Sequence, residues 1–106
     1  LLLLITISST KFYNDKKKLN SLRIKLDLLD NELLKLIKKR SNLVNKVLKV
    51  KIFKKEIIDK KRIIFILKKI KKKSIQIKID PKITNRIWKN MIWSFINYEK
   101  RNFKKK

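Results

Sequence analysis

No glycine occurs anywhere in the sequence, and the only proline is Pro81. Tight hairpin turns depend on glycine and proline, so a chain this poor in them is driven toward long uninterrupted helices joined by few loops. An all-α fold follows. At 106 residues the chain is one domain by length, and a domain of that size buries a modest core unless it pairs with another chain.

Apolar spacing supports the same fold class. From about Asp15 to Ile52, apolar residues fall at Leu19, Leu22, Leu26, Leu29, Leu33, Leu36, Ile37, Leu43, Val44, Val47 and Val50, mostly three and four apart. A helix of about 35 residues, roughly 50 Å at 1.5 Å per residue, exceeds the diameter of a globule this chain could form alone, so its stripe needs a partner. Periodicity by itself describes a coiled-coil or bundle seam equally well. Residues 53–58 break the pattern. Asp59 then stands as the N-cap of a second helix running through Ile70, with Lys71 to Ser74 ending it. Asp80-Pro81 marks the start of a third helix, a cap followed by proline at the first helical position, reaching about Phe103. The alternating stretch SIQIKI at 74–79 has no second strand to pair with and reads as a connection.

With no cysteine and no histidine, the chain lacks disulfides, thiol nucleophiles, Ser-His-Asp triads and the commonest zinc ligands. Chemistry falls to Arg, Lys, Asp, Glu or hydroxyls. The formal net charge of +24, from 32 Lys+Arg against 8 Asp+Glu, favours anionic ligands in general. It does not choose between nucleic acid and a small dicarboxylate, because the lysines are spread along the whole chain. The apolar run LLLLITI at 1–7 is far shorter than the roughly 20 residues of a membrane span, and the chain is expected to be cytoplasmic. A truncated signal sequence is the other reading of that run.

Arg40 interrupts the first helix's stripe where another leucine would continue it, four residues after Leu36 and three before Leu43. Lys51 follows 11 residues later, three turns plus about 20°, on the same face with about 16 Å of rise between them. Two long cationic side chains so placed could hold a small dianion, or both could be snorkelling surface residues. Arg23, between Leu22 and Leu26, stands 17 residues before Arg40, about 25 Å along a rigid helix. It could share a site with Arg40 only across an antiparallel dimer.

The stretch LNSLRIKLDLLDNELLKLIKKRSNLVNKVLKVK at 19–51 closely resembles the first helix of the all-helical, type II chorismate mutases, with its pattern LRxxIDxLDxxLLxLLxxRxxLxxxVxxxK. Arg23, Asp27, Asp30, Leu33, Leu34, Arg40, Leu43, Val47 and Lys51 fall in register. IDKKRIIFILKKI at 58–70 resembles the second helix, with Asp59 three residues before Arg62, and IDPKITNRIWKNMIWSFINYEK at 79–100 resembles the third. The resemblance implies three helices, one long and two medium, in an intertwined homodimer. It implies an isomerase that rearranges chorismate to prephenate for phenylalanine and tyrosine synthesis, without cofactor or metal. Carried over by position, Arg23 reaches in from the partner protomer and Arg40 grips a carboxylate from the same chain. Lys51 contacts the ether oxygen and a carboxylate. Asp59 and Arg62 line the second-helix side, and Glu99 is the second ether-oxygen partner. Lys51, Glu99 and Arg40 are thus the catalytic candidates.

Two positions depart from the family's pattern: Ile63 stands where a glutamate accepts the substrate hydroxyl, and Phe95 where a serine is usual, with Ser94 one place early. The losses point to reduced activity, a displaced substitute such as Glu56, or an altered substrate. The expected organisation is a poorly ordered extension at 1–14, the mutase domain at 15–103 and a basic tail at 104–106. The other readings are a basic helical module that binds nucleic acid, with Trp88, Trp93 and Tyr98 stacking on bases, and a non-catalytic relative of the mutase scaffold. Neither nucleic acid nor a membrane is the expected partner.

Overall fold

A computed structural model of the chain describes residues 2–104, with side chains from Ser9 onward. Helix α1 spans Leu2–Val50, α2 Lys60–Gln76 and α3 Pro81–Asn102, with a single 3-10 turn at Lys54–Ile57 between α1 and α2. The all-α, three-helix expectation holds, and no strand occurs among the described residues. Nor is any helix among them long and apolar enough to cross a membrane. One boundary differs at the start of the chain. The first helix begins at Leu2 rather than near Asp15, because Asn14 and Asp15 are tolerated inside a helix at a cost below about 1 kcal/mol each and no glycine or proline breaks the run before them. Of the basic tail expected at 104–106, residues 105 and 106 lie outside the described residues.

The chain divides into two compact units, Leu1–Lys39 and Arg40–Lys106. In the first, α1 carries its apolar stripe uncovered: Leu19, Leu22, Leu26, Leu29, Leu33 and Leu36 are each 45–60% exposed. The second unit contains the end of α1, the 3-10 turn, α2 and α3. Its core is small. Ile57, Ile92 and Ile96 are buried, and Leu48, Ile58, Ile63, Ile66, Leu67 and Phe103 pack against them half-covered.

Local signals explain the helix ends in this unit. Asp59 caps α2 by accepting the Arg62 backbone N–H at 3.0 Å, and Asp80 caps α3 by accepting that of Lys82 at 2.9 Å, with Pro81 at the first helical position. At the other end α2 outlasts the predicted stop near Ser74 and closes after Gln76. The Ile79 N–H donates to the Ser74 carbonyl at 2.9 Å and the Lys78 N–H to the Ile75 carbonyl at 3.2 Å, the paired bonds of a Schellman closure. That closure puts its central residue in the left-handed region, and Lys78 sits there at φ 62°. Below the closure, the Ser74 hydroxyl donates to the Ile70 carbonyl at 2.6 Å and lies 2.7 Å from the Thr84 hydroxyl, joining the end of α2 to the start of α3 through buried polar groups.

A side chain with a Cβ costs roughly 1 kcal/mol in the left-handed region, a penalty glycine avoids. Lys78→Gly is therefore expected to stabilise the fold by up to about 1 kcal/mol. Urea unfolding followed by helical ellipticity checks it: a midpoint that does not rise contradicts the strain.

Candidate functional site

The second unit holds an open cavity of about 360 Å³ between the end of α1, the 3-10 turn, α2 and α3. Its floor is apolar, formed among others by Val44, Val47, Ile57, Ile66, Ile92 and Ile96. Helical spacing puts these groups on shared faces: Arg40, Val44 and Val47 come from one side of α1, Lys51 follows directly after its end, and Ile92, Phe95, Ile96 and Glu99 recur at three and four residues along α3.

Five of the six residues singled out from the sequence line this cavity: Arg40, Lys51, Asp59, Arg62 and Glu99. Arg23 does not. It belongs to the first unit and is exposed on α1. Glu56, the displaced acid, also lines the wall, as do Ile63 and Phe95, the two departures.

The charges around the cavity fall into two groups. In the first, acids are committed to local bonds. Glu99 is buried, and its carboxylate takes an ion pair from the Lys51 ammonium at 3.1 Å. The bond spans 48 positions of sequence and ties the last turn of α1 to the last turns of α3. Glu56 accepts the Phe53 N–H at 3.2 Å and holds the 3-10 turn, while Asp59 caps α2. In the second group are two cations without a carboxylate in ion-pair range among the described residues, Arg40 and Arg62. The Arg40 guanidinium lies over the Phe95 ring at 4.7 Å, and that of Arg62 over Phe65 at 5.4 Å. One terminal nitrogen of Arg40, Nη1, is buried with no hydrogen-bond partner. Burial lowers the Arg40 pKa from its ordinary value, the nearby Arg62 charge lowers it further, and Glu99 opposes both. An arginine still keeps its proton at neutral pH, so Arg40 remains a cation.

The arrangement suits a small dianion. Two guanidinium groups can each receive a carboxylate, one of them with a buried donor already lacking an acceptor, and an apolar floor can take a carbon skeleton. The spacing of Arg40 and Lys51 carried their common face in the sequence. Sequence reading missed three features: the Phe95 ring beneath Arg40, the pairing of Lys51 with Glu99, and the Tyr98 hydroxyl donating to Asn45 Oδ1 at 2.9 Å between α3 and α1. Asn45, an amide directly after the apolar Val44, is the nearest thing to a signal for the last of these.

Compared with known protein families, residues 22–100 match one, described as chorismate mutase type II. No curated protein and no solved structure matches.

The ion pair generates its own expectation. Lys51→Met removes the cation and leaves the Glu99 carboxylate buried alone, which is expected to cost about 3 kcal/mol of stability at neutral pH. Acid should protonate the orphaned carboxylate and shrink that loss, whereas Lys51→Met combined with Glu99→Leu should restore most of the stability. Chemical unfolding at neutral and acid pH measures both, and equal losses at the two pH values would refute the account.

Proposed function

The chain belongs to the chorismate mutase type II family, whose members are isomerases acting on chorismate, and on that premise we propose that this cavity is where chorismate rearranges to prephenate. The observation that carries the proposal is the pair of cations, Arg40 and Arg62, left without carboxylate partners around an apolar floor. Chorismate is a dicarboxylate, and its rearrangement breaks one C–O bond while forming one C–C bond within the same molecule. Such a reaction needs no nucleophile and no redox group. It needs the flexible substrate held in its compact reactive conformer and the charge growing on the ether oxygen stabilised.

Arg40 grips one carboxylate and Arg62 supports the second-helix side, with Asp59 fixing the start of α2 beneath it. Lys51 donates to the ether oxygen. In the free protein its ammonium rests on Glu99 at 3.1 Å, so the substrate inserts beside an ion pair already in place. Glu99 can add a second hydrogen bond to the ether oxygen only as the acid, since a carboxylate would repel the developing charge. Glutamine at that position would accept from Lys51 through its carbonyl and donate through its amide at every pH. Following chorismate loss by absorbance, Arg40→Ala and Lys51→Ala are each expected to reduce kcat/KM by about a hundredfold or more. Glu99→Gln, which offers an amide donor in place of the carboxylate, is expected to keep or raise kcat/KM, whereas Glu99→Ala should lower it. A wild-type chain without turnover, or a Glu99→Gln variant as impaired as Glu99→Ala, contradicts the respective step.

The active unit in this reading is a homodimer, in which Arg23 of one protomer completes the site of the other. Supporting it are the uncovered leucines of α1 in the first unit and the exposed position of Arg23 among them. The reading also places the reaction in the cytoplasm, serving phenylalanine and tyrosine synthesis. Subunit mixing tests the dimer. Arg23→Ala and Arg40→Ala should each be nearly inactive alone, yet co-refolded together they should regain about a quarter of wild-type activity, because half of the dimers then hold one intact site. No recovery on mixing would mean that Arg23 is not shared between chains.

A further inference from the structure

Arg40 raises a question that the ion pairs do not answer. Its side chain is long and flexible, no carboxylate among the described residues lies in ion-pair range to hold it, and its Nη1 is buried without an acceptor. What meets it is the ring of Phe95, with the guanidinium carbon 4.7 Å from the ring centre. Phe95 is well fixed for the purpose. It lies on α3 between the buried Ile92 and Ile96, and Glu99, one turn further on, is bonded to Lys51. The ring and the ion pair therefore rise from the same face of α3, one turn apart.

An aromatic support differs from a carboxylate support in what it leaves unspent. A glutamate or aspartate beside Arg40 would fix the guanidinium by occupying its N–H donors and cancelling its charge. A ring attracts the cation through its face and takes none of the five in-plane donors. The group is held while keeping the charge and donors a carboxylate substrate requires. We propose that Phe95 is a positioning residue, a platform that holds the Arg40 guanidinium ready at the cavity and thereby sets its affinity for a dicarboxylate substrate. This inference rests on the chorismate reading of the cavity, and it assigns a purpose to the aromatic ring where the family pattern has a serine.

Fluorination drains the negative face of a phenyl ring with little change in size, so mono- and trifluorinated phenylalanine at position 95 test the platform without disturbing the packing. The KM for chorismate should rise stepwise, by about tenfold for the trifluorinated ring, with kcat changed far less, because the carboxylate contact is made in the ground state and transition state alike. Phe95→Tyr should stay near wild type, and Phe95→Leu should resemble the trifluorinated protein. A KM indifferent to fluorination overturns the proposal. If the wild-type chain does not turn over chorismate at all, the mutase reading fails on its own, and the platform is then judged by phenylglyoxal modification of Arg40 followed by mass spectrometry. Faster modification with each added fluorine supports the platform, and an unchanged rate overturns it.

Discussion

Glu99 is a buried acid in a chain of formal charge +24, and a carboxylate taken out of water is tolerated only beside a cation or hydrogen-bond donors. Lys51 supplies that cation from the turn where α1 ends. The bond does more than settle a charge. It fixes where α1 must stop relative to α3, and the 3-10 turn and the start of α2 are then led past the same point, so that Ile57 enters the core and Asp59 caps α2 at the cavity's edge. Because the core itself is little more than three isoleucines, a directional contact of this kind carries an unusual share of the specification.

The same scarcity of acids shapes the electrostatics. Only 8 acidic residues stand against 32 basic ones, and the three at the cavity are each committed: Glu99 to Lys51, Glu56 to the Phe53 N–H and Asp59 to the Arg62 N–H. Among the described residues no acid is left within ion-pair range of Arg40 or Arg62. The half-buried Arg40 and the exposed Arg62 both stack on phenylalanines instead. The surplus of lysine across the surface, which looks like a polyanion signal, is a separate matter from this local one, because surface lysines are solvated and screened while Arg40 is partly desolvated.

Much of the architecture was legible in the residues themselves. Asp80-Pro81 announced α3 and Asp59 announced α2, because a cap acts through its own neighbours and needs no tertiary context. Arg40 and Lys51 could be placed on one face by counting turns. Features that depend on distant contacts or on missing signals were harder. The end of α2 was read too early because the residue taking the left-handed turn is Lys78, where a glycine would have flagged it. The apolar spacing suggested a start near Asp15, and the helix continues back past it to Leu2. The Lys51–Glu99 bond and the Phe95 platform join residues 48 and 55 positions apart, and no local pattern encodes such a meeting. Phe95 was visible only as a departure from the family's serine, a difference whose meaning appears once Arg40 is seen above the ring.

The leucines of the first unit bear on why a chain without turn residues would keep so long a helix. Leu19 through Leu36 expose half or more of their surface in several cases, and each fully covered leucine is worth roughly 2 kcal/mol. The helix runs unbroken from Leu2 to Val50, so it cannot fold back on itself to claim that energy. In the proposed homodimer an antiparallel second copy covers the stripe and offers the same stripe in return, so that one sequence satisfies both sides of the contact. The same proposed pairing would give Arg23 a role in the partner's site. An arginine among exposed leucines weakens the stripe as an apolar surface, a cost offset if its guanidinium passes through the interface to a carboxylate held in the cavity of the other protomer.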